Sequence, residues 1–304
     1  MIRWKGYSYD QGFNRLFFEN VNYQLKVLDH CGPITSEDVA DGDAVIATWW
    51  ETAEWVNRFP ATKGKKFYFV QHHETHNSTL SLSRVEKTYQ MAIHKITISK
   101  WLVTLLKEKY LQTDVSLVPN SVDHTFFSAP PRNKQLRPTI GFLYSEAESK
   151  GVRTALAVIA KVKEQLPGLR VLCFGVKEFE SIPLPTEFEL EIKPSQNQIR
   201  DLYAQCDIWL CCSLTEGFGL TVLEAMACRT PAVSTRCGGP EDIIEHGKTG
   251  YLCDVDDVNG ISQSVLKLLL ANEEEWHAFS FSAYEYANSY SWADSARLFE
   301  SALK

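Results

Sequence analysis

The sequence predicts an α/β protein made of two Rossmann-like units, each a parallel sheet covered by helices, facing one another across a cleft. Three observations carry this. Short apolar runs of strand length alternate with longer helix-forming runs along most of the chain. The segment 128–138 (SAPPRNKQLRP), with three prolines, three basic residues and an Asn, breaks that alternation as a linker would. A chain of 304 residues is also too long for one ordinary core.

Before the linker, strands are expected at 23–28, 44–48, 66–70, 95–99 and 115–118, and helices at 82–92 and 100–110. The strand segments are short and rich in β-branched and aromatic residues, as in AVIAT and KFYFV. Beyond the linker the alternation is regular. Strands are expected at 139–143, 170–174, 187–192, 207–212, 232–235 and 250–253, with helices at 152–165, 197–204, 220–228, 240–246 and 258–270. Ser195 followed by Gln198 has the spacing of a capping box at the start of the second of these helices. Two closing helices are expected at 273–289 and 292–303. Ligands of such sheets bind beyond the carboxyl ends of the strands, so the cleft between the units is the expected site.

Composition narrows the function. Hydrophobic residues make up 44% and charged residues 23%, the proportions of a soluble globular protein. A net charge of −7 gives no electrostatic reason to expect nucleic acid as a partner. The eight cysteines (Cys31, Cys173, Cys206, Cys211, Cys212, Cys228, Cys237 and Cys253) form no C-x-x-C pair, and several lie in apolar runs, which predicts buried reduced thiols. The opening MIRWKGYSYDQG has no apolar signal core, and no apolar run approaches the roughly 18 residues of a membrane span. A cytoplasmic location is expected, with peripheral contact at the inner membrane face as an option through Lys63, Lys65 and Lys66.

The stretch from Ser213 to Asp254 carries most of the chemistry. An apolar strand run, DIWLCC, leads to Glu216, then to the turn Gly217-Phe218-Gly219, then to a helix-forming run in which Glu224 follows Glu216 with seven residues between. Strand, glycine turn and helix present backbone N–H groups to a phosphate at a helix N-terminus. An acidic residue at the mouth of that turn can accept hydrogen bonds from sugar hydroxyls. The combination suits a nucleotide sugar. Lys150, directly before Gly151 at the start of another helix, sets an ammonium beside a second helix N-terminus.

Several further pieces sit in a matching order: VPNSVD at 118–123, Lys150-Gly151, Phe174-Gly175, the run LYAQCDIWLCCSLTEGFGLTVLEAMA, and GGPEDIIEHGKTGYL. With them the chain from Val118 onward resembles the retaining glycosyltransferases of family 4, which have the two-domain GT-B fold. The resemblance implies transfer of a sugar from a nucleotide-diphosphate donor to a saccharide or lipid-linked saccharide acceptor, as in polysaccharide or glycolipid synthesis. It implies retained configuration and neither a metal nor another cofactor. It sets domain limits at 1–130 for the acceptor side and 138–288 for the donor side, with 289–304 crossing back onto the first domain. Glu216 then lies against the donor sugar, near charge developing on the ring. Gly217, Phe218, Gly219 and Leu220 would offer backbone groups to sugar and phosphate, the glycines because side chains would obstruct a ligand's approach. Glu224 would bind the ribose hydroxyls, and Lys150 the diphosphate. Gly141 and Lys193 join the donor side. The family usually has arginine directly after the glycine that is Gly141 here, and this chain has Phe142, with Arg153 as a substitute cation.

In His72-His73-Glu74-Thr75-His76 a metal cluster suggests itself, but the pattern is one residue short of H-E-x-x-H and follows a strand. The family keeps a histidine facing the donor sugar in such a loop, and His72 is the first choice, His73 the second, with the acceptor side as the other place for His73. Trp49 and Trp50, near Trp55, offer aromatic faces to an acceptor sugar or, equally, to the core. Asp254-Val255-Asp256 and Asp41-Gly42-Asp43 spell the metal-binding D-x-D of another transferase fold and read as turn carboxylates. No Gly-Gly turn precedes Ala44 and only about 45 residues come before it, so the first domain reads as shortened, or Met1 is not the true start. That leaves a second expectation, a sugar-nucleotide-binding protein with little transfer activity, and a third, another GT-B enzyme such as a phosphorylase or epimerase.

Overall fold

The computed structural model describes residues 26, 28–30, 32–77 and 81–304. The strand expected at 23–28 falls largely outside the described residues. Strands β1 (Ala44–Ala47), β2 (Lys65–Val70), β3 (His94–Thr97) and β4 (Val115–Leu117) form a parallel sheet in that spatial order. Helices α1 (Trp50–Asn57), α2 (Leu82–Gln90) and α3 (Lys100–Glu108) connect them.

The second sheet contains β5 (Thr139–Leu143), β6 (Arg170–Gly175), β7 (Glu189–Ile192), β8 (Ile208–Cys211), β9 (Ala232–Thr235) and β10 (Gly250–Cys253). All pairs are parallel, in the order β10-β9-β8-β5-β6-β7. Its helices are α4 (Val152–Gln165), α5 (Gln196–Ala204), α6 (Leu220–Ala227), α7 (Gly239–Ile243), α8 (Val258–Leu270), α9 (Glu273–Asn288) and α10 (Trp292–Leu303). The chain leaves β5 toward β6 and β7, then returns to the other side of β5 for β8, β9 and β10. The strand order therefore reverses between β5 and β8, which opens a crevice at their carboxyl ends. Every residue of β8 is buried, as a central parallel strand with helices on both faces requires.

The expected GT-B arrangement of two Rossmann-like units is present, and the last helix does return to the first sheet. Phe299, Ala302 and Leu303 of α10 pack against Phe67, Ile96 and Val118, and the Phe299 ring meets Phe69 edge-on at 5.4 Å. Ser291 and Asp294 cap α10 reciprocally, as Ser195 and Gln198 cap α5.

Two features depart from expectation. Helix α1 was not foreseen, because its aromatic run reads as a sugar-binding surface or as core. It forms because Trp50, Ala53 and Val56 make one buried stripe and the Thr52 hydroxyl accepts the otherwise unpaired N–H of Trp49 at 3.0 Å. The proline-rich segment is also no free hinge. Lys134 donates to the carbonyls of Leu269 and Ala271 at 2.8 and 2.6 Å, Arg132 lies 4.8 Å over the Trp276 ring, and the Gln135 N–H reaches the buried Asp207 at 2.8 Å. The segment is bound to the second sheet's unit, so movement between units falls before it.

Candidate functional site

The site is built at the β5–β8 crevice. After β5 a short 3-10 turn ends at Lys150, and Gly151 opens α4 with φ +60°. A Cβ on Gly151 would come within 1.8 Å of the Cys212 carbonyl, so only glycine lets this turn close on the loop that follows β8. The contact is sealed by the Leu214 N–H donating to the Ser149 carbonyl at 2.8 Å. The result is a 2.7 Å ion pair between Lys150 Nζ and Glu216 Oε1, joined by the Ser213 hydroxyl at 2.7 Å on the same oxygen. Phe142, Leu143 and Cys212 line the narrow cleft around the pair. Glu216 is held from behind, its N–H donating to the Cys237 carbonyl at 2.7 Å.

Glu224 lies one helical stretch further, on α6. Tyr203 of α5 donates its hydroxyl to Oε2 at 2.8 Å. Burial pushes the Glu224 carboxyl up to about 7, opposed by that hydrogen bond. Leu220 is exposed at the first turn of α6, whereas Phe218 is buried in the core.

The glycine turn meets protein more closely than ligand access would require. A Cβ on Gly217 would sit 2.0 Å from the Gln71 carbonyl and 3.4 Å from the His72 ring, both in the loop after β2. Gly219 has φ +94° and faces Pro240. These positions exclude side chains because of backbone geometry and contact between units, which corrects the expectation that a ligand alone demands glycine there.

His72 therefore does stand against the turn, its Nδ1 3.0 Å from the His73 carbonyl. His73 is directed elsewhere: its Nε2 lies 2.8 Å from the Tyr110 hydroxyl and its ring packs on Tyr89 and Tyr110. An acceptor role for His73 is not supported by that orientation. The same holds for Trp50, which is buried in the first unit's core beneath the Arg84 guanidinium at 4.8 Å, while Trp49 packs half-buried against the same cluster. Replacing Trp50 with alanine should cost about 3–5 kcal/mol of stability, read by denaturant melts, and leave the affinity for saccharides unchanged.

Three donor-side expectations are displaced from the ion pair. Gly141 is interior to the sheet, where a Cβ would lie 2.5 Å from Cys206 Sγ, so its small size serves packing. Phe142 is buried edge-on to Phe188, and Arg153 donates to the Ser181 carbonyl at 2.8 Å. Lys193 is exposed at the carboxyl end of β7 with φ +48°, two strands away from β5. Asp256 lies in a tight turn at φ +60° and accepts from Thr154, as a turn carboxylate. The three lysines considered for membrane contact are occupied: Lys63 by Val39 and Asp41, Lys65 over Phe67, and Lys66 by the Asn57 carbonyl. Among the described residues, no helix is long and apolar enough to cross a membrane.

Sequence reading missed Glu74. Only 5% exposed, it accepts the Trp50 N–H at 3.0 Å and the Tyr68 hydroxyl at 3.3 Å, while its own N–H donates to Tyr89 at 2.9 Å. Tyr89 donates in turn to the His72 carbonyl at 3.2 Å. A buried carboxyl thus holds the loop that carries His72. Burial pushes Glu74 up to about 7. The signal was present as a carboxylate between two histidines, but it was read as part of a rejected metal motif.

Two parallel-sheet units, with an ammonium–carboxylate pair and two helix N-termini at the switch point of one sheet, define an α/β protein of the GT-B class. Residues 124–286, more than half of the chain, match the family model of the glycosyl transferases group 1, and the chain belongs to that family. It is 32% identical over 178 residues to N-acetyl-alpha-D-glucosaminyl L-malate synthase of Bacillus anthracis, covering 54% of this chain and 46% of that protein. The chain spans less than half the length of the curated relatives it matches. Its fold is similar to the crystal structure of TarM, with a TM-score of 0.73 at 18% identity over 86% of this chain and 54% of that one. It is similar also to Anabaena Alr3699/HepE in complex with UDP and glucose, with a TM-score of 0.69 at 16% identity, covering 85% of this chain and 77% of that one.

Proposed function

We propose that this protein transfers a sugar from a nucleotide-diphosphate donor to a saccharide or lipid-linked acceptor, in the family 4 manner, with retained configuration and without a metal. The observation that carries the reading is the Lys150–Glu216 pair at the β5–β8 switch point. Breaking the sugar–phosphate bond leaves negative charge on the phosphate and develops positive charge on the ring. An ammonium and a carboxylate 2.7 Å apart supply both complements at one place. Helices α4 and α6 both open on glycines with no side-chain cap, so their first N–H groups are available to phosphate oxygens. Glu224 would accept from ribose hydroxyls, and His72 would meet the sugar from the opposite unit. UDP donors are the first to test, because HepE was solved with UDP and glucose. This role goes with a cytoplasmic location, and with membrane contact where the acceptor is lipid-linked.

The second reading, sugar-nucleotide binding with little transfer, is favoured by one observation. Phe142 and Arg153 leave the position of the family's arginine without a cation. Hydrolysis of a panel of nucleotide sugars separates the two readings, with Glu216→Ala as control. Wild-type turnover at least 100-fold above the variant is expected; equal, slow hydrolysis by both would leave only the binding reading.

A further inference from the structure

We propose that Trp101 is a positioning residue that sets the glycine turn in its donor-binding form when the two units are closed on one another. This deepens the transferase reading and rests on it. Trp101 is the second residue of α3, in the first sheet's unit. Its indole N–H crosses to the second unit and donates to the Gly217 carbonyl at 3.0 Å. The Gly217–Phe218 peptide is trans, so this carbonyl and the Phe218 N–H share one plane and point in opposite directions. Holding one fixes the other. Among the described residues no backbone carbonyl accepts the Phe218 N–H, although Phe218 is only 8% exposed. That N–H is left for another acceptor, water or a bound group.

The indole has a built seat. Gly238, at φ +105°, would bring a Cβ within 2.5 Å of the ring, so no other residue leaves room for it. Beside it the Lys100 N–H donates to the Asp242 carboxylate at 2.5 Å, which fastens the start of α3 to α7. Gly217 borders the peptide on one side, and glycine resists rotation least. When the units part, the indole bond is lost and the Phe218 N–H is no longer aimed. Closure and assembly of the donor cradle are thereby one event, made by a single side chain from the opposite unit.

Trp101→benzothienylalanine, a non-natural residue, keeps the fused ring seated over Gly238 and replaces only the N–H, with sulfur. Two measurements test it: steady-state hydrolysis of the donor, and amide hydrogen exchange of residues 213–219 in the protein without ligand. Turnover is expected to fall about 100-fold, since one misdirected donor costs that much, with uridine affinity and melting temperature unchanged. Exchange in 213–219 should rise about 10-fold while β8 and α6 keep their protection. Wild-type turnover and exchange in the variant would overturn the proposal, as would a rise in exchange throughout the second unit, which would make Trp101 a packing residue. If wild type binds and hydrolyses no nucleotide sugar, the transferase reading fails, and the exchange comparison still decides whether Trp101 holds the turn.

Discussion

Lys150→Ala is expected to lower donor turnover by at least 100-fold and to weaken nucleotide-diphosphate binding with it. The lysine's partner at 2.7 Å is Glu216, and its side chain is 32% exposed, so it is open to a ligand on one side. In the ligand-free protein the ammonium neutralises Glu216. With a diphosphate bound, it would be shared between the carboxylate and the phosphate oxygens, and its share would grow as the leaving phosphate gains charge. That is stabilisation stronger in the transition state than in the ground state, which is what raises turnover. Removing it also leaves Glu216 with only the Ser213 hydroxyl on Oε1. Lys150→Arg should recover part of the loss, because charge returns without the ammonium's compact geometry. Titration calorimetry with nucleoside diphosphates and with the bare nucleoside separates the effects. The diphosphate should lose affinity and the nucleoside should not; an unchanged diphosphate affinity would remove Lys150 from the site.

The second large effect is expected at Glu74. Burial raises this carboxyl from 4.5 to about 7. A raised carboxyl takes up a proton on folding, so its contribution is fully present below pH 4.5 and is lost as pH rises toward 7. Above that the folded protein carries an ionised, poorly solvated carboxylate, a cost of about 3 kcal/mol at most. Glu74→Gln keeps an acceptor for the Trp50 N–H and the Tyr68 hydroxyl and removes the titration. The variant should match wild type near pH 4.5 and be the more stable by up to about 3 kcal/mol at pH 8, with a melting temperature higher by several degrees. Melting curves across pH 4.5–8 read this directly. Glu224 is raised over the same window, so the Glu74→Gln variant should still show a residual slope with pH. A difference between the two proteins that does not change with pH would show that Glu74 is not the titrating group.

Legibility differed between local and distant features. Helices α4, α8 and α10 and strands β9 and β10 have the bounds expected from their apolar pattern, because each is one unbroken period between turn residues. Helix α1 escaped because Trp49 and Trp50 read as a binding surface, and the stripe of Trp50, Ala53 and Val56 shows only once the core is known. At the site, Glu216, Glu224, Lys150 and the glycine turn were legible as residues, since strand, turn and helix lie together in sequence. Their partners were not. Ser213 is close by but carries no pattern, Tyr203 reaches Glu224 from another helix, and Trp101 meets Gly217 from 116 residues away.

The alternation of runs and the glycine positions were enough to specify two parallel-sheet units and the loops that hold the chemistry. This is because strand and helix periods, turns and helix starts are local properties of the backbone. Which cation faces which carboxylate, which histidine meets the turn, and which direction the 217–218 peptide points were decided by packing between loops and between units. His72 and His73 are adjacent in sequence, yet one stands against Gly217 and the other against Tyr110. Both lie in the loop after β2, with a bend at His72, and the packing of that loop sends the two rings to different neighbours.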